Sequence, residues 1–252
     1  MKIEIILRTH DQSNIHTERQ RYCNMPKKEL ILGCLTSLIK SSNLVENHTI
    51  NYKILDDHSS KELIQRIHST FKFSKWPYEL YNLKTPGYHY SGLKQFEMAR
   101  DSEADLVYVV EDDYLHCLSA LNEMIDSWQL FTNKTGNEVV IYPFDMQEDY
   151  EPPGMEPCFV VQGTKRHWRT GFWTTFTMMC KPKLFNEHWA IFEKLATGYD
   201  GKDIQEGNTI CKIWRNQALR FSPIQSLALH MQFDQQKDPW IDWKKWWEIY
   251  AS

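Results

Sequence analysis

The chain has 252 residues and a formal net charge of −4, and it is rich in aromatic residues, with 10 tryptophans. This length suffices for one α/β domain with a full core, and the small charge gives no reason to expect a nucleic-acid or acidic-polymer surface. Six scattered cysteines without a CxxC pair exclude zinc-site spacing and fit a reducing compartment. The N-terminal run MKIEIILRTH is too short for a signal peptide, and no run reaches membrane-spanning length. We therefore expect a soluble, cytoplasmic protein without a transmembrane segment.

The first part of the chain alternates predicted strands with predicted helices. Ser59 and Glu62 have the spacing of a capping box at the start of one of these helices. An order of β, α, β, α is typical of a parallel sheet with right-handed crossovers. In chain order, the predicted elements are a strand at Ile3–Leu7, a helix at Lys28–Ser41, a strand at Ile50–Leu55, a helix around Leu63–Phe71, a strand at Tyr78–Leu83 and a helix at Ser91–Arg100.

The stretch ADLVYVVEDDYLH, at positions 104–116, joins a buried strand to an acidic cluster. Leu106–Val110 has the composition of a strand buried on both faces, and Glu111, Asp112 and Asp113 follow it directly. Three adjacent carboxylates repel one another and lose hydration when they are covered. Ligands bind at the carboxyl ends of strands in open α/β sheets, and carboxylates suit Mg²⁺ or Mn²⁺. A divalent cation is favoured here over an acidic turn that caps the next helix, because an N-cap needs only one acid.

The second half of the chain mixes shorter strands and helices, without an internal repeat or a convincing linker. One compact domain is therefore expected. Residues 146–157 carry several acids and prolines and are expected to form an exposed loop that can move over a ligand. The other predicted elements are a helix at Leu118–Phe131, a strand at Glu138–Tyr142, one or two strands at Gly171–Cys180, helices at Leu184–Ala196 and Thr209–Arg215, strands at Ala218–Phe221 and Leu227–His230, and a helix after Pro239.

Three segments, taken in this order, resemble a known family. MKIEIILRTHD, YKILDDHSS and SGLKQFEMARDSEADLVYVVEDDYL are similar to the nucleotide-sugar-binding half of a GT-A-fold glycosyltransferase, close to the family-two type. The resemblance implies an α/β fold with a mostly parallel central sheet and helices on both faces. It also implies a nucleotide-sugar-binding half at 1–116 and an acceptor-binding half at 117–252.

The resemblance assigns the donor to the first half of the chain. Thr9 would lie beside the nucleoside, and Asp57 or Asp56 would accept the N3–H of a uracil-type base. Simple helix capping is the alternative role for these two acids. Lys94 lies in the helix before the acidic strand, and it would either reach a phosphate or be an ordinary solvated lysine.

The family's DXD motif reads Glu111-Asp112-Asp113 here, and this EDD form resembles that of N-acetylglucosaminyltransferases. By that likeness Asp113 is the direct ligand of Mn²⁺ or Mg²⁺, while Glu111 and Asp112 contact ribose or metal-bound water. His230 closes the apolar run SLALHM and would join the metal, since neutral imidazole combines with carboxylates on Mn²⁺. A structural role at the end of a strand is the alternative for this histidine.

GT-A enzymes commonly use an acid at a helix start as the general base. The matching stretch, YDGKDIQEG, offers Asp200, Asp203 and Glu206, and its Glu-Gly departs from the Glu-Asp of the family. The resemblance leaves the base open among these three acids. Glu206 is favoured because Gly207 lets the backbone turn and approach a ligand closely, and because its side chain is longer.

Aromatic residues of the second half supply candidates for acceptor binding. Trp168, Trp173 and Phe176 lie in the region where such enzymes bind acceptor sugars, and we expect only one of the three to do so. Near the C-terminus, a helical stripe is expected to dock on the body of the protein, and contact with a membrane surface through Lys244 and Lys245 is the alternative. The residues of that stripe are Trp240, Trp243, Trp247 and Tyr250.

The resemblance implies a hexosyltransferase-type glycosyltransferase. It would move a sugar from a nucleoside-diphosphate sugar, with UDP preferred, to a hydroxyl of a glycan or similar acceptor, and Mn²⁺ or Mg²⁺ would neutralise the leaving diphosphate. An inverting enzyme needs a carboxylate base and a retaining one does not, and both stay open. The alternatives are a catalytically silent nucleotide- or glycan-binding module and a sugar-nucleotide pyrophosphorylase, although the Gly-rich N-terminal phosphate loop of the latter is missing.

Overall fold

A computed structural model describes residues 1–12, 23–151, 156–232 and 237–252. The strands are β1 (Lys2–Thr9), β2 (Thr49–Asp56), β3 (Tyr78–Asn82), β4 (Leu106–Glu111), β5 (Tyr114–His116), β6 (Val139–Ile141), β7 (Val160–Gln162), β8 (His167–Gly171), β9 (Met178–Cys180), β10 (Leu219–Pro223) and β11 (Ala228–His230). The helices are α1 (Lys27–Asn43), α2 (Lys61–Phe71), α3 (Tyr88–Arg100), α4 (Ala120–Thr135), α5 (Pro182–Glu187), α6 (Trp189–Gly198), α7 (Cys211–Asn216) and α8 (Trp243–Tyr250). In this part of the chain, one mixed sheet has the strand order β3-β2-β1-β4-β9-β6-β10-β8-β7, and β11 pairs with β5 in a second sheet.

The first half of the large sheet is parallel, as the sequence predicts. β1 lies between β2 and β4, and β3 pairs with β2 on the outer side. The register sets Arg8 opposite Glu111 and Thr9 opposite Asp56. The carboxyl ends of three neighbouring strands therefore bring their polar residues to one edge of the sheet, where ligands of open α/β sheets bind.

The second half of the large sheet is mixed. β9 is antiparallel to both of its neighbours, β4 and β6. β10 is parallel to β6, whereas β8 is antiparallel to β10 and to β7. Antiparallel strands can be joined by short turns, as residues 163–166 join β7 to β8, so this half needs no crossover helix for each strand.

A short strand, β5, follows the acidic cluster almost directly, where the sequence predicts no strand. β5 pairs with β11 in antiparallel orientation, and this pairing sets His230 opposite Tyr114. The rings of these two residues stack with their centroids 4.6 Å apart. The β5–β11 pair thus brings a residue from late in the chain back to the acids at the end of β4.

Helices cover both faces of the large sheet, as predicted. Successive side chains of a strand point to opposite faces. Leu106, Tyr108 and Val110 of β4 accordingly join the core beneath α1, α2 and α4, whereas Val107 and Val109 join the core beneath α3, α5 and α6. β4 is therefore buried on both faces, in agreement with its composition. Five of the six cysteines are buried as well.

Two predicted helices differ in detail from the structure. The N-cap of α2 is Ser60, whose hydroxyl accepts a hydrogen bond from a backbone N–H of the first turn. Ser59 lies one residue before this cap, and its N–H donates to the carboxylate of Asp56. The predicted helix at Leu184–Ala196 is divided into α5 and α6 at His188, whose φ of −118° and ψ of 24° are not helical.

The segment predicted as an exposed loop at 146–157 begins as a packed segment. Met146 is buried, and Gln147–Tyr150 form a short 3₁₀ turn. The N–H of Gln147 donates to the carbonyl of Lys237. Residues 152–155 lie outside the described residues.

The C-terminal helix α8 docks on the body of the protein, as preferred from the sequence. Gly33 of α1 makes room for the ring of Trp247, since a Cβ atom at position 33 would lie 2.2 Å from that ring. Trp240 precedes the helix and is 65% exposed, so it is not part of the docked stripe. No helix among the described residues is long and apolar enough to cross a bilayer. The side chains of α8 that pack on the body are Trp243, Trp246, Trp247 and Tyr250.

Gln95 of α3 ties β1 to β4 just before the acids. Its Nε2 donates to the carbonyl oxygens of Ile6 and Val110, at 2.8 and 3.0 Å, and the side chain is fully buried. Gln95→Leu removes this donor from two buried carbonyls, so it should lower the free energy of unfolding by about 1–3 kcal/mol. Urea unfolding measures the change, and Gln65→Leu on the exposed side of α2 is the control. Equal losses in the two variants would contradict the prediction.

Candidate active site

All three acids at the end of β4 have a basic side chain nearby, and for Asp113 it is Lys27, whose Nζ lies 4.0 Å from Asp113 Oδ2. Arg8 Nη2 lies 3.3 Å from Glu111 Oε1 across the β1–β4 pairing. Lys27, at the start of α1, pairs with Asp112, which also accepts a hydrogen bond from the backbone N–H of His10 at 3.0 Å. The sequence analysis used the repulsion between these carboxylates as an argument for a divalent cation. The basic side chains of the fold already reduce this repulsion.

Glu111 is partly buried between its arginine partner and the hydroxyl groups of Thr175 and Thr177. The guanidinium of Arg8 lies over the rings of Tyr88 and Phe176, 4.7 and 5.3 Å from their centroids. Burial raises the pKa of Glu111, because the loss of hydration outweighs the attraction of Arg8. The backbone N–H of Glu111 donates to the hydroxyl of Thr177 at 3.1 Å, which fixes the end of the strand.

Asp113 and His230 form the pair that fits a divalent metal ion. His230 Nε2 lies 3.4 Å from Asp113 Oδ1, and the Nε2 of Gln232 donates to Asp113 Oδ2 at 3.3 Å. A carboxylate and an imidazole are both ligand types that Mn²⁺ accepts. Within the described ranges, no group of three or more His, Cys, Asp or Glu side chains forms a ligand set. Among the described residues, a metal ion at this place would have Asp113 and His230 as its side-chain ligands.

Thr9, Asp56 and Asp57 lie together at the ends of β1 and β2, and all three are buried. The Asp56 carboxylate accepts hydrogen bonds from the Thr9 hydroxyl and from the backbone N–H of Ser59, in the turn before α2, whose N-cap is Ser60. The Asp57 carboxylate accepts from the N–H of Gly87 at 3.0 and 3.1 Å. Gly87 has a φ of +124°, a conformation that favours glycine. Both acids thus fix the turns that border this edge of the sheet.

Lys94 is engaged away from the acidic cluster. It pairs with Glu97 on the same face of α3, and its ammonium lies 5.6 Å from the ring centroid of Tyr90. These contacts agree with an ordinary surface lysine, the second of its two expected roles, and the phosphate contact stays a prediction.

Glu206 is the base candidate with a perturbed environment. It opens a 3₁₀ turn at Glu206–Asn208, several residues before α7, instead of the first turn of an α-helix. Its side chain is half-buried. Burial, together with repulsion from Glu111, raises the pKa of Glu206 to about 7, while His230 acts in the opposite direction. A carboxyl group with such a pKa can exchange a proton near neutral pH.

Asp200 and Asp203 differ from Glu206 because both are exposed to solvent. The Asp200 carboxylate accepts hydrogen bonds from the N–H groups of Lys202 and Ile204, at 2.8 and 2.9 Å, and these bonds lower its pKa. Asp200 is therefore fixed within its own loop, not loosely held as its Gly-flanked sequence indicates. Neither acid has the burial that brings the pKa of Glu206 towards neutrality.

Of the three aromatic candidates, the structure leaves Trp173 accessible and buries the others. Trp168 is fully buried in the core, and Phe176, 1% exposed, stacks on Phe96. The expectation of an acceptor contact at Trp168 is thus corrected, because β8 turns this side chain inwards. Trp173 is half-buried, and a Cβ atom at Gly207 would lie 2.8 Å from its ring. Trp173 therefore lies next to the turn that carries Glu206.

The sequence prediction missed the basic side chains of the site. Arg8 had a detectable signal, because it ends a predicted strand beside Thr9 and the ends of adjacent parallel strands meet at one edge. Lys27 had none, since a lysine at the start of a helix is an ordinary solvated residue. Its contact with Asp112 arises only when α1 packs across the end of β4.

Comparisons with known proteins give a fold and no family. A scan against protein-family models and a search of the curated proteins find no match. Among solved structures, S. aureus TarS matches 88% of this chain with a TM-score of 0.51 and 14% identity, and 36% of TarS is covered. TarS 1–349 gives a TM-score of 0.50 with 15% identity, and its complex with UDP gives a TM-score of 0.51 with 14% identity. Each of these two matches covers 88% of this chain and 60% of the TarS 1–349 chain.

The chain therefore spans between about one third and three fifths of the TarS chains that it matches. Identities this low establish the fold alone. Together with the observed sheet order, the likeness gives this chain an α/β fold of the GT-A glycosyltransferase type.

Glu206→Gln should stabilise the protein at alkaline pH. The pKa of Glu206 is raised from the ordinary 4.5 to about 7, so the folded protein favours the neutral carboxyl group. The stability that this group contributes is complete below pH 4.5 and is lost as the pH rises through 7, where the buried group must ionise. At pH 8 the neutral amide should raise the free energy of unfolding by about 3 kcal/mol at most, and at pH 5 by less than about 1 kcal/mol. Urea unfolding at both pH values measures this. Asp203→Asn is the exposed control, and a pH-independent effect of Glu206→Gln would contradict the prediction.

Proposed function

We propose that this chain is a metal-dependent, inverting glycosyltransferase that moves a sugar from a UDP-sugar to a hydroxyl of an acceptor. One observation carries the proposal: Glu206, with a pKa near 7, interacts electrostatically with both Glu111 and His230. A binding module would need the nucleotide-binding edge of the sheet, but it would not need a carboxyl group poised to exchange protons. The GT-A-type fold supports the same class of reaction.

UDP is the donor nucleotide that we propose, because the TarS structure of similar fold is a complex with UDP. Asp57 and Asp56 supply carboxylate oxygens at the end of β2, and one of them is assigned to the N3–H of uracil. Thr9 is assigned to the side of the nucleoside. Glu111 and Asp112 are assigned to ribose or to metal-bound water.

Asp113 and His230 are the residues that we assign to Mn²⁺ or Mg²⁺. The bound ion would supply positive charge that stabilises the diphosphate as it leaves. The mixed oxygen and nitrogen ligand set favours Mn²⁺, since Mg²⁺ prefers oxygen ligands alone. The remaining coordination positions are left for diphosphate oxygens and water.

Glu206 is the general base of this proposal, and Trp173 is the acceptor platform. The Glu206 carboxylate takes the proton of the acceptor hydroxyl as that oxygen forms a bond to the anomeric carbon. The bond between the sugar and the diphosphate breaks, and UDP leaves with the electron pair. The ring of Trp173 offers an apolar face for the C–H groups of a sugar, so the acceptor would lie between this ring and Glu206.

Asp113→Asn should abolish the Mn²⁺-dependent part of UDP binding and leave the fold intact, because an amide oxygen is a weaker ligand than a carboxylate. Calorimetric titration of UDP with and without Mn²⁺ measures the effect. His230→Ala should reduce the Mn²⁺ dependence less, and Asp105→Asn, exposed at the opposite end of β4, is the matched control. Equal Mn²⁺ dependence in Asp113→Asn and the wild type would exclude Asp113 as the ligand.

Glu206→Gln should lower kcat by about 10²–10⁴-fold with the Kd for UDP nearly unchanged, because the amide cannot accept the proton. In the wild type, kcat/KM should rise with pH through about 7, because the pKa of Glu206 is about 7 and only its ionised form can accept the proton. Release of UDP from a panel of UDP-sugars measures both effects, and Asp200→Asn is the control.

Three outcomes would redirect the assignment. Normal turnover in Glu206→Gln with loss in Asp203→Asn would move the base to Asp203. Turnover that is insensitive to all three acids would indicate a retaining enzyme. UDP binding without any release of UDP from the sugars would indicate a silent binding module.

A further inference from the structure

Two arginines are buried side by side in the second half of the sheet. Arg169 of β8 and Arg220 of β10 are 6% and 1% exposed, and their strands are antiparallel neighbours. Gly171 makes room for this arrangement, since a Cβ atom there would lie 2.4 Å from Arg220 Nη1. Buried guanidinium groups remain charged and need compensation by anions.

Two carboxylates supply that compensation. Asp145 Oδ1 and Asp149 Oδ2 each lie 2.6 Å from Arg169 Nη2. The same oxygen of Asp149 lies 3.8 Å from Arg220 Nη2. Asp145 is fully buried, whereas Asp149 comes from the 3₁₀ turn that precedes residues outside the described ranges. Without Asp149, the two guanidinium groups would face one carboxylate among the described side chains, that of Asp145, which leaves an excess of one positive charge in this part of the structure.

The arginine pair has more N–H donors than Asp149 accepts from. Arg220 Nε and Nη1 donate to the carbonyl of Trp173 and to the hydroxyl of Ser222, at 2.8 and 2.9 Å. Arg169 Nε and Arg220 Nη2 are buried and have no hydrogen-bond partner among the described residues. Buried N–H groups without partners are rare in proteins. An anion with more oxygen atoms than a carboxylate would satisfy them, and guanidinium groups match phosphate geometry well.

The arginine pair adjoins the acceptor side of the proposed active site. Arg220 donates to the carbonyl of Trp173, whose ring lies against Gly207 beside Glu206. On its other side, Arg220 lies 5.1 Å from the ring centroid of Tyr142. The acids assigned to the donor end β4, which is separated from β10 by β9 and β6. An anion bound by the arginines would therefore belong to the acceptor and not to the donor diphosphate.

We propose that Arg169 and Arg220 form a subsite for a phosphate group carried by the acceptor, and that the phosphate displaces Asp149. A phosphodiester monoanion would restore the charge balance that Asp149 supplies, and its oxygen atoms would accept from Arg169 Nε and Arg220 Nη2. The assignment of this phosphate to an acceptor rests on the proposed function. Binding of phosphate to the subsite can be measured without sugar transfer. The acceptor class is thus a phosphate-bearing molecule with a free hydroxyl.

Inorganic phosphate is the first probe, and its binding is measured as the rise in Tm at constant ionic strength, with chloride as the reference salt. The titrations contain UDP and Mn²⁺, so that the donor site is filled. Asp149→Asn removes the competing charge with little change of shape. The phosphate concentration that gives half of the effect should fall by about tenfold or more in this variant, because a charged competitor has been removed.

The second variant tests whether the arginines are the ligands. Arg220→Lys in the Asp149→Asn background keeps the charge but loses the planar fork, so it should reverse the gain in phosphate affinity. Arg100→Lys at the end of α3, in the same background, is the matched control and should keep the gain. Equal phosphate affinity in the wild type and Asp149→Asn, or loss of the gain in the Arg100→Lys control, would overturn the proposal.

Dimethyl phosphate distinguishes a phosphate within a larger molecule from free inorganic phosphate. It is a diester monoanion, so it should stabilise Asp149→Asn at concentrations similar to those of inorganic phosphate. A response to inorganic phosphate without any response to the diester would overturn the assignment to an acceptor. A separate titration of UDP shows whether the donor site works, so failure of the subsite and failure of the proposed function give different results.

Discussion

Three consecutive carboxylates follow a strand that is buried on both faces, and their charge must be compensated before they can leave water. Elements that are distant in sequence provide the compensation: β1 contributes Arg8 to Glu111, and the start of α1 contributes Lys27 to Asp112 and Asp113. Each contact forms only when its element packs in the native position. The chemistry at the end of β4 therefore depends on the whole sheet and not on a single acidic loop.

The parts of the fold that could be predicted are those with a local signal. The apolar run Leu106–Val110 predicts a strand covered on both faces, and the alternation of strands and helices before it predicts the parallel half of the sheet. Glu206 could be singled out because Gly207 permits a close backbone approach, and its burial agrees with that choice. These inferences need only the residues within a few positions of each site.

The remaining features depend on packing between distant segments. The stretch HWRTGFWTTFT gives Trp168 and Trp173 similar local sequence, but strand pairing of β8 turns Trp168 into the core while the chain leaves the strand after Gly171. The strands β5, β7 and β9 have three residues each, which is too few to recognise the alternation of apolar and polar residues that indicates a strand. Arg169 and Arg220 are unremarkable in the sequence, and only the β8–β10 pairing makes them neighbours.

The antiparallel strand β9 has a consequence for how the protein is made. β4 ends at Glu111, but its partner on one side, Met178–Cys180, is synthesised much later. A nascent chain that ends before Cys180 presents β4 as an apolar, unpaired sheet edge, which is a template for pairing with other chains. This edge of β4 therefore stays unpaired during synthesis until β9 has been made and closes the sheet.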